Sequence, residues 1–184
     1  MERQKRISSR IHCMHTLSKI LRLISLSLLS GGSAAVVFCA VVLVKAATAS
    51  GVPVAEAAAT NAPVFIQYSK VASVAALFLL VAELAGFSQT AQKGKLDLAR
   101  FAASLACIVC VGIFAFGIVP PMERLLPDIK TVTEAHEQFR HLHEASRSVF
   151  GASILFAFLS LILPVFKKEE SDGKQTKIES KVLL

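Results

Sequence analysis

Four long apolar runs divide the chain, separated by short polar segments. Residues 23–44, "LISLSLLSGGSAAVVFCAVVLV", carry no charge. At about 1.5 Å rise per residue, a helix of that length is about 33 Å long, a full hydrocarbon core. The second run, 65–87, begins near Pro63 and puts Gln67 and Lys70 at its polar rim. The third, 101–119, meets Pro120-Pro121, which predicts its end. The fourth, 148–166, stops at Lys167-Lys168. In lipid a segment must satisfy its own backbone, so each run predicts a transmembrane helix. Barrel strands would read as alternating segments of about ten residues, and none is present. The predicted fold is all-α: a four-helix transmembrane bundle over 23–166, between a basic segment 1–22 and a polar tail 167–184.

Composition agrees. The chain is 54% hydrophobic with mean hydropathy +0.60 and 18% charged residues, below the quarter usual for soluble domains. With no Trp and one Tyr, an aromatic belt can hardly form.

The net charge of +7 changes the picture only through its placement. The basic residues flank the apolar runs, which points to anionic headgroups and away from nucleic acid. Alternate sides carry fourteen and six Lys and Arg. The larger set is made up of the N-terminal segment (with Lys19 and Arg22), the 88–100 loop and the tail. By the positive-inside rule both termini are cytoplasmic and the two longer loops external. A bacterial plasma membrane is the expected location, with an organelle membrane as the alternative, because the acid-poor N-terminus has transit-peptide composition. "ATA" at 47–49 resembles a signal cleavage site, but the run before it is too long for a signal peptide and predicts a retained span.

Chemistry-bearing residues are few. Glu83 is the one acid within an apolar run, four residues from its end and so about 6 Å deep. Such a carboxylate either handles ions or protons or meets Arg100 or Lys95 at the interface. Cys107 and Cys110 form a Cys-x-x-Cys pair in mid-span. That spacing suits a thiol couple, or a soft-metal site with Cys39, but burial in low dielectric leaves thiols inert, and both are expected to be buried. Cys13 completes a set of four that does not read as a secreted disulfide framework.

In "HEQFRHLHEASRSVF", Glu137, His141 and Glu144 fall on one helical face, with His143 on the next. These are candidate ligands for a divalent metal. The interleaved Arg140 and Arg147 oppose a cation, so the competing reading is a rim helix of alternating charge. His143 is then a hydrogen-bonded residue at the membrane boundary. Small residues four apart, Ser30 with Ala34, Ala72 with Ala76 and Ala102 with Ala106, predict close helix contacts. No nucleophile elbow, phosphate loop or zinc-protease motif occurs.

"GGS" at Gly31, "NAPVF" at 61–65, "VPPMERL" at 119–125 and "FRHLHEASRSVFGA" at 139–152, in that order, resemble a family of small four-span membrane proteins. This is domain of unknown function 4149, with animal transmembrane protein 205 as a relative. Phe139, His143 and Ser146 fit its Phe-x-x-x-His-x-x-Ser pattern, whereas Glu144 and His141 depart from it. The resemblance spans about residues 20–166 and brings no established chemistry. The expected function is a non-enzymatic membrane scaffold or interaction protein that needs no cofactor. Its expected partners are the bilayer and membrane proteins or further copies of itself. The alternatives are a small transporter or metal-handling protein, and a thiol-redox protein.

Overall fold

The computed structural model describes residues 2–88, 94–128 and 133–182. Six α-helices and two π-helical turns build it: α1 (Glu2–Ser27), a π turn (Leu28–Gly32), α2 (Ser33–Ala49), α3 (Val54–Ser88), α4 (Lys95–Gly112), a second π turn (Ile113–Ile118), α5 (Val119–Leu125) and α6 (Thr133–Val182). Among the described residues, four stretches are long and apolar enough to cross a membrane: Thr16–Ala49, Glu56–Gly86, Lys95–Leu125 and Glu134–Phe166.

The rods run alternately up and down. Ser18 meets Ala82, so the start of the first rod lies beside the end of α3. Glu83 meets Arg100, and Ser104 meets Ser160. At the opposite end Ala62, Ile118, Met122 and Phe139 pack into one cluster. The middle is filled by Leu26, Leu29, Ala72, Ala75, Ala76, Leu79, Cys107, Val111 and Ala157. Between the middle and the far end, Phe150 is the aromatic hub, with ring contacts to Phe65 and Tyr68 at 6.0 Å and to Phe114 at 4.8 Å. Outward faces carry large apolar side chains such as Phe38, Phe78, Phe116 and Phe158. Lipid contact accounts for that inversion of the soluble pattern.

Small residues do line the contacts, but in a different register from the expected one on two helices. Ala72 and Ala76 are buried. Ala34 and Ala102 face outward, and their neighbours Ser33 and Ala103 are buried in their place. On α4 the inner face is fixed by Ser104, Cys107 and Val111, which puts Ala102, two residues from Ser104, about 200° round the helix on the outer side.

Pro120-Pro121 does not end the third rod. Without N–H groups the two prolines cannot continue an α-ladder, and the chain makes a π turn whose last bond runs from Val119 N–H to Phe114 O. The prolines then occupy the first turn of α5, where a missing donor costs nothing. The basic N-terminal segment continues into the first rod as α1. Between α2 and α3 the reversal rests on Gly51 at φ 86°, with Val52 N–H bonded to Ala47 O and Gly51 N–H to Thr48 O. That is a Schellman ending, which favours glycine at this position.

Candidate functional site: a buried ionic node

α4 opens at Gly94, whose backbone N–H is accepted by the Asp97 carboxylate at 3.3 Å. This is half of a capping box, since glycine has no side chain to complete it. Starting the helix there brings Arg100 and then Ser104 round to the last turns of α3. Glu83 of α3 is only 2% exposed. Its Oε1 accepts Arg100 Nη1 at 2.7 Å and the Ser104 hydroxyl at 2.8 Å. Ser104 and Ser160 of α6 are 2.6 Å apart. A hydroxyl has one proton, and Ser104 gives its own to Glu83, so Ser160 donates to Ser104. One carboxylate thus joins three rods.

The first rod closes the node. Arg22 of α1 is half-buried within electrostatic reach of Glu83, Asp97 and Arg100. A turn earlier, the buried Ser18 hydroxyl donates to Ala82 O at 2.7 Å. Two buried atoms lack a hydrogen-bond partner among the described residues, Glu83 Oε2 and Arg22 Nε. One is an acceptor and the other a donor, so the node retains capacity for a small polar species.

A second polar junction lies at the π turn of the first rod. A π turn bonds residue i to i+5 and breaks the regular ladder. The Tyr68 hydroxyl donates to Leu28 O at 2.8 Å, and the Ser33 hydroxyl lies 3.1 Å from the Tyr68 hydroxyl oxygen. The approach is possible because residue 32 is glycine: a Cβ there would sit 2.8 Å from the Tyr68 hydroxyl oxygen. The "GGS" of the first run is therefore a seat for the chain's single tyrosine.

The expected site residues fall as follows. Glu83 meets Arg100, one of the two partners named for it. Cys107 is fully buried in the middle core, but Cys110 is only half-buried and Cys39 is exposed, so the expectation that both members of the pair are buried fails for Cys110. The reason is helical phase, since Cys107 shares the inner face with Ser104 and Val111 while Cys110 lies beside it. On α6 the charged rim is present, with Glu137 and Arg140 paired at 2.6 Å and both exposed. His141 and Glu144 are exposed as well. Among the described residues no three His, Cys, Asp or Glu side chains gather into a metal-holding group.

His143 makes a contact that was not expected. Its ring stacks on Phe139 at 6.2 Å with 7° between planes, and among the described residues no hydrogen bond to the ring is seen. The i to i+4 spacing explains it, placing the two rings next to each other, offset and near parallel, on one face of α6. Phe139 is buried against Ala62, Ile118 and Met122. Ser146 is buried too, but its hydroxyl turns back to His143 O at 2.7 Å. Sequence reasoning missed Arg22, Ser104, Ser160 and Tyr68 as partners. A serine in an apolar run was the available signal, since a buried hydroxyl must find a partner.

Comparison with known proteins gives a family match. The model of a family described as Domain of unknown function (DUF4149) matches residues 24–130, more than half of the chain. No curated protein and no solved structure matches. The matched region includes the π turn, Tyr68, Glu83, Arg100 and Ser104. It ends before the segment holding Phe139, His143 and Ser146, so the expected extent to about residue 166 is not reached.

Proposed function

This chain belongs to the DUF4149 family of unknown function, and from that premise we propose that it is a non-enzymatic scaffold or interaction protein of the membrane. The observation that carries the reading is the use made of Glu83. The one acid within an apolar run is closed into a bridge between helices by Arg100 and Ser104, with 2% of its surface exposed. A buried ion pair of this kind is best known for fixing register between helices. The middle core is made of apolar residues and one buried thiol, a composition that suits packing.

The same reading places both termini in the cytoplasm, since the side with more Lys and Arg includes them. It puts the protein in a bacterial plasma membrane, with membrane proteins or further copies of itself as partners. Reporter fusions after residues 92 and 175 are expected to read cytoplasmic, and fusions after 58 and 130 external. A swapped pair would overturn the orientation.

A second reading, ion or proton handling, is favoured by the unpartnered Glu83 Oε2 beside Arg22. Purified protein in sealed vesicles separates the two. The scaffold reading expects no flux of protons, zinc or copper beyond that of protein-free vesicles. A flux abolished by Glu83→Gln would replace it with the second.

A further inference from the structure

A groove of about 510 Å³ opens on the lipid side between α1 and α3. Its walls are apolar, formed by Ile24 and Leu28 on one side and Val71, Val74 and Phe78 on the other. At one end stands Lys70. The lysine is exposed, and its ammonium donates to Gln67 Oε1 at 3.2 Å. Next to that end, the Tyr68 hydroxyl holds Leu28 O at 2.8 Å, so the two walls are pinned together and the slot is preformed.

The depth of Lys70 follows from its neighbours. Tyr68 touches Phe150 of α6, with ring centroids 6.0 Å apart. Three residues before Phe150 is the exposed Arg147, about 4.5 Å further out by helical rise, followed outward by exposed Glu144 and Arg140. Those charges mark where headgroups begin. Lys70 lies two residues inward of Tyr68, and its stem is long enough to bring the ammonium back to the Arg147 level. From Lys70 to Phe78 the groove descends eight residues, about 12 Å. That is most of one leaflet, about half of a 30 Å hydrocarbon core.

We propose that this groove binds one anionic phospholipid, with its phosphate on Lys70 and an acyl chain between Ile24, Leu28, Val71, Val74 and Phe78. The reasons are complementarity of charge and of shape. The headgroup offers oxygens to the ammonium and to the Gln67 amide, whose NH2 group remains a donor while its oxygen accepts Lys70. The chain enters a slot one leaflet deep. The site depends only on the protein spanning a bilayer, so it stands or falls apart from the scaffold reading.

The chain has no tryptophan, so Phe78→Trp places a single fluorophore at the deep end of the groove. The variant is reconstituted with bromine-chain phosphatidylglycerol or bromine-chain phosphatidylcholine as quencher. Phosphatidylglycerol is expected to win by roughly fivefold in relative binding constant, the factor that corresponds to about 1 kcal/mol per basic residue at an anionic surface. Lys70→Gln should bring the ratio to about one, and Val74→Phe, which fills the slot, should do so with the lysine intact. Both positions are exposed, so both variants fold. Lys45→Gln, away from the groove, should leave the preference unchanged. Equal quenching by the two lipids with Lys70 present overturns the proposal. So does weak quenching by both that rises when protein is diluted in lipid, which would assign the groove to a second copy. Loss of the preference on adding inorganic phosphate would assign Lys70 to a free anion and overturn it too.

Discussion

Arg100 Nη1 lies 2.7 Å from Glu83 Oε1, and the two side chains are 16% and 2% exposed. This contact joins the last turns of α3 to the second turn of α4, and through Ser104 and Ser160 it reaches α6. Removing one member of a buried pair leaves a charge with no counter-charge and costs about 3–5 kcal/mol, whereas replacing both with apolar groups is often neutral. Glu83→Ala and Arg100→Ala should each lower stability by about that amount. The double variant Glu83→Leu/Arg100→Leu should recover most of it. Denaturant unfolding in mixed micelles measures all three. A double variant that loses the sum of the single effects would show that the pair is not coupled.

The π turn yields a second coupled pair. Tyr68→Phe leaves Leu28 O without the hydroxyl, and interhelical hydrogen bonds in membranes are worth about 0.6–2 kcal/mol. Gly32→Ala puts a Cβ 2.8 Å from the Tyr68 oxygen, so the tyrosine must shift and the same bond is strained. With Tyr68→Phe already in place, the atom that clashes is gone, and the nearest ring carbons are at 3.4 Å. Gly32→Ala should then cost less than it does in the natural chain. A double-mutant cycle on unfolding free energy should return a coupling of about 1 kcal/mol. Strict additivity would mean that Gly32 has another role.

The thiols give a third test. Cys107 is fully buried, Cys110 half-buried and Cys39 exposed. A membrane-permeant maleimide, applied to single-cysteine variants in the bilayer, should modify Cys107 far more slowly than Cys39, with Cys110 between them. Unfolding in strong detergent should bring the three to similar rates. Early modification of Cys107 in the folded protein would contradict its place beside Leu29, Ala72 and Val111.

Much of this arrangement is legible in the chain. Apolar runs long enough for a bilayer name the four rods, because lipid leaves the backbone few other solutions. The Glu83–Arg100 contact is within reach of sequence reasoning, since an acid near the end of one span looks for a base near the start of the next. The node is harder to foresee. Ser104 and Ser160 are 56 positions apart and meet only through the phase and tilt of α4 against α6. The same holds for Tyr68 on Leu28, which requires a π turn that no local pattern announces. Helical phase explains the errors of register: Ala34, Ala102 and Cys110 each lie beside a residue that is buried.

The stack of His143 on Phe139 gives the imidazole a role other than the hydrogen bond expected from the sequence. A hydrogen-bonded imidazole would tolerate Gln, which keeps a donor and an acceptor, and would suffer from a purely apolar replacement. A stacked imidazole behaves the other way. The rings lie at 6.2 Å and 7°, with Phe139 buried against Met122 and Ile118 beneath them. Stacked aromatic pairs are worth about 0.5–1.5 kcal/mol beyond their buried area. His143→Phe should therefore keep stability, while His143→Gln should lose about that amount and His143→Ala somewhat more. The effect should disappear in a Phe139→Leu background, because the partner ring is then absent. Unfolding midpoints of the three variants in both backgrounds decide the matter. If Gln is tolerated while Phe is not, the ring nitrogens carry the role, and the hydrogen-bonding expectation is restored.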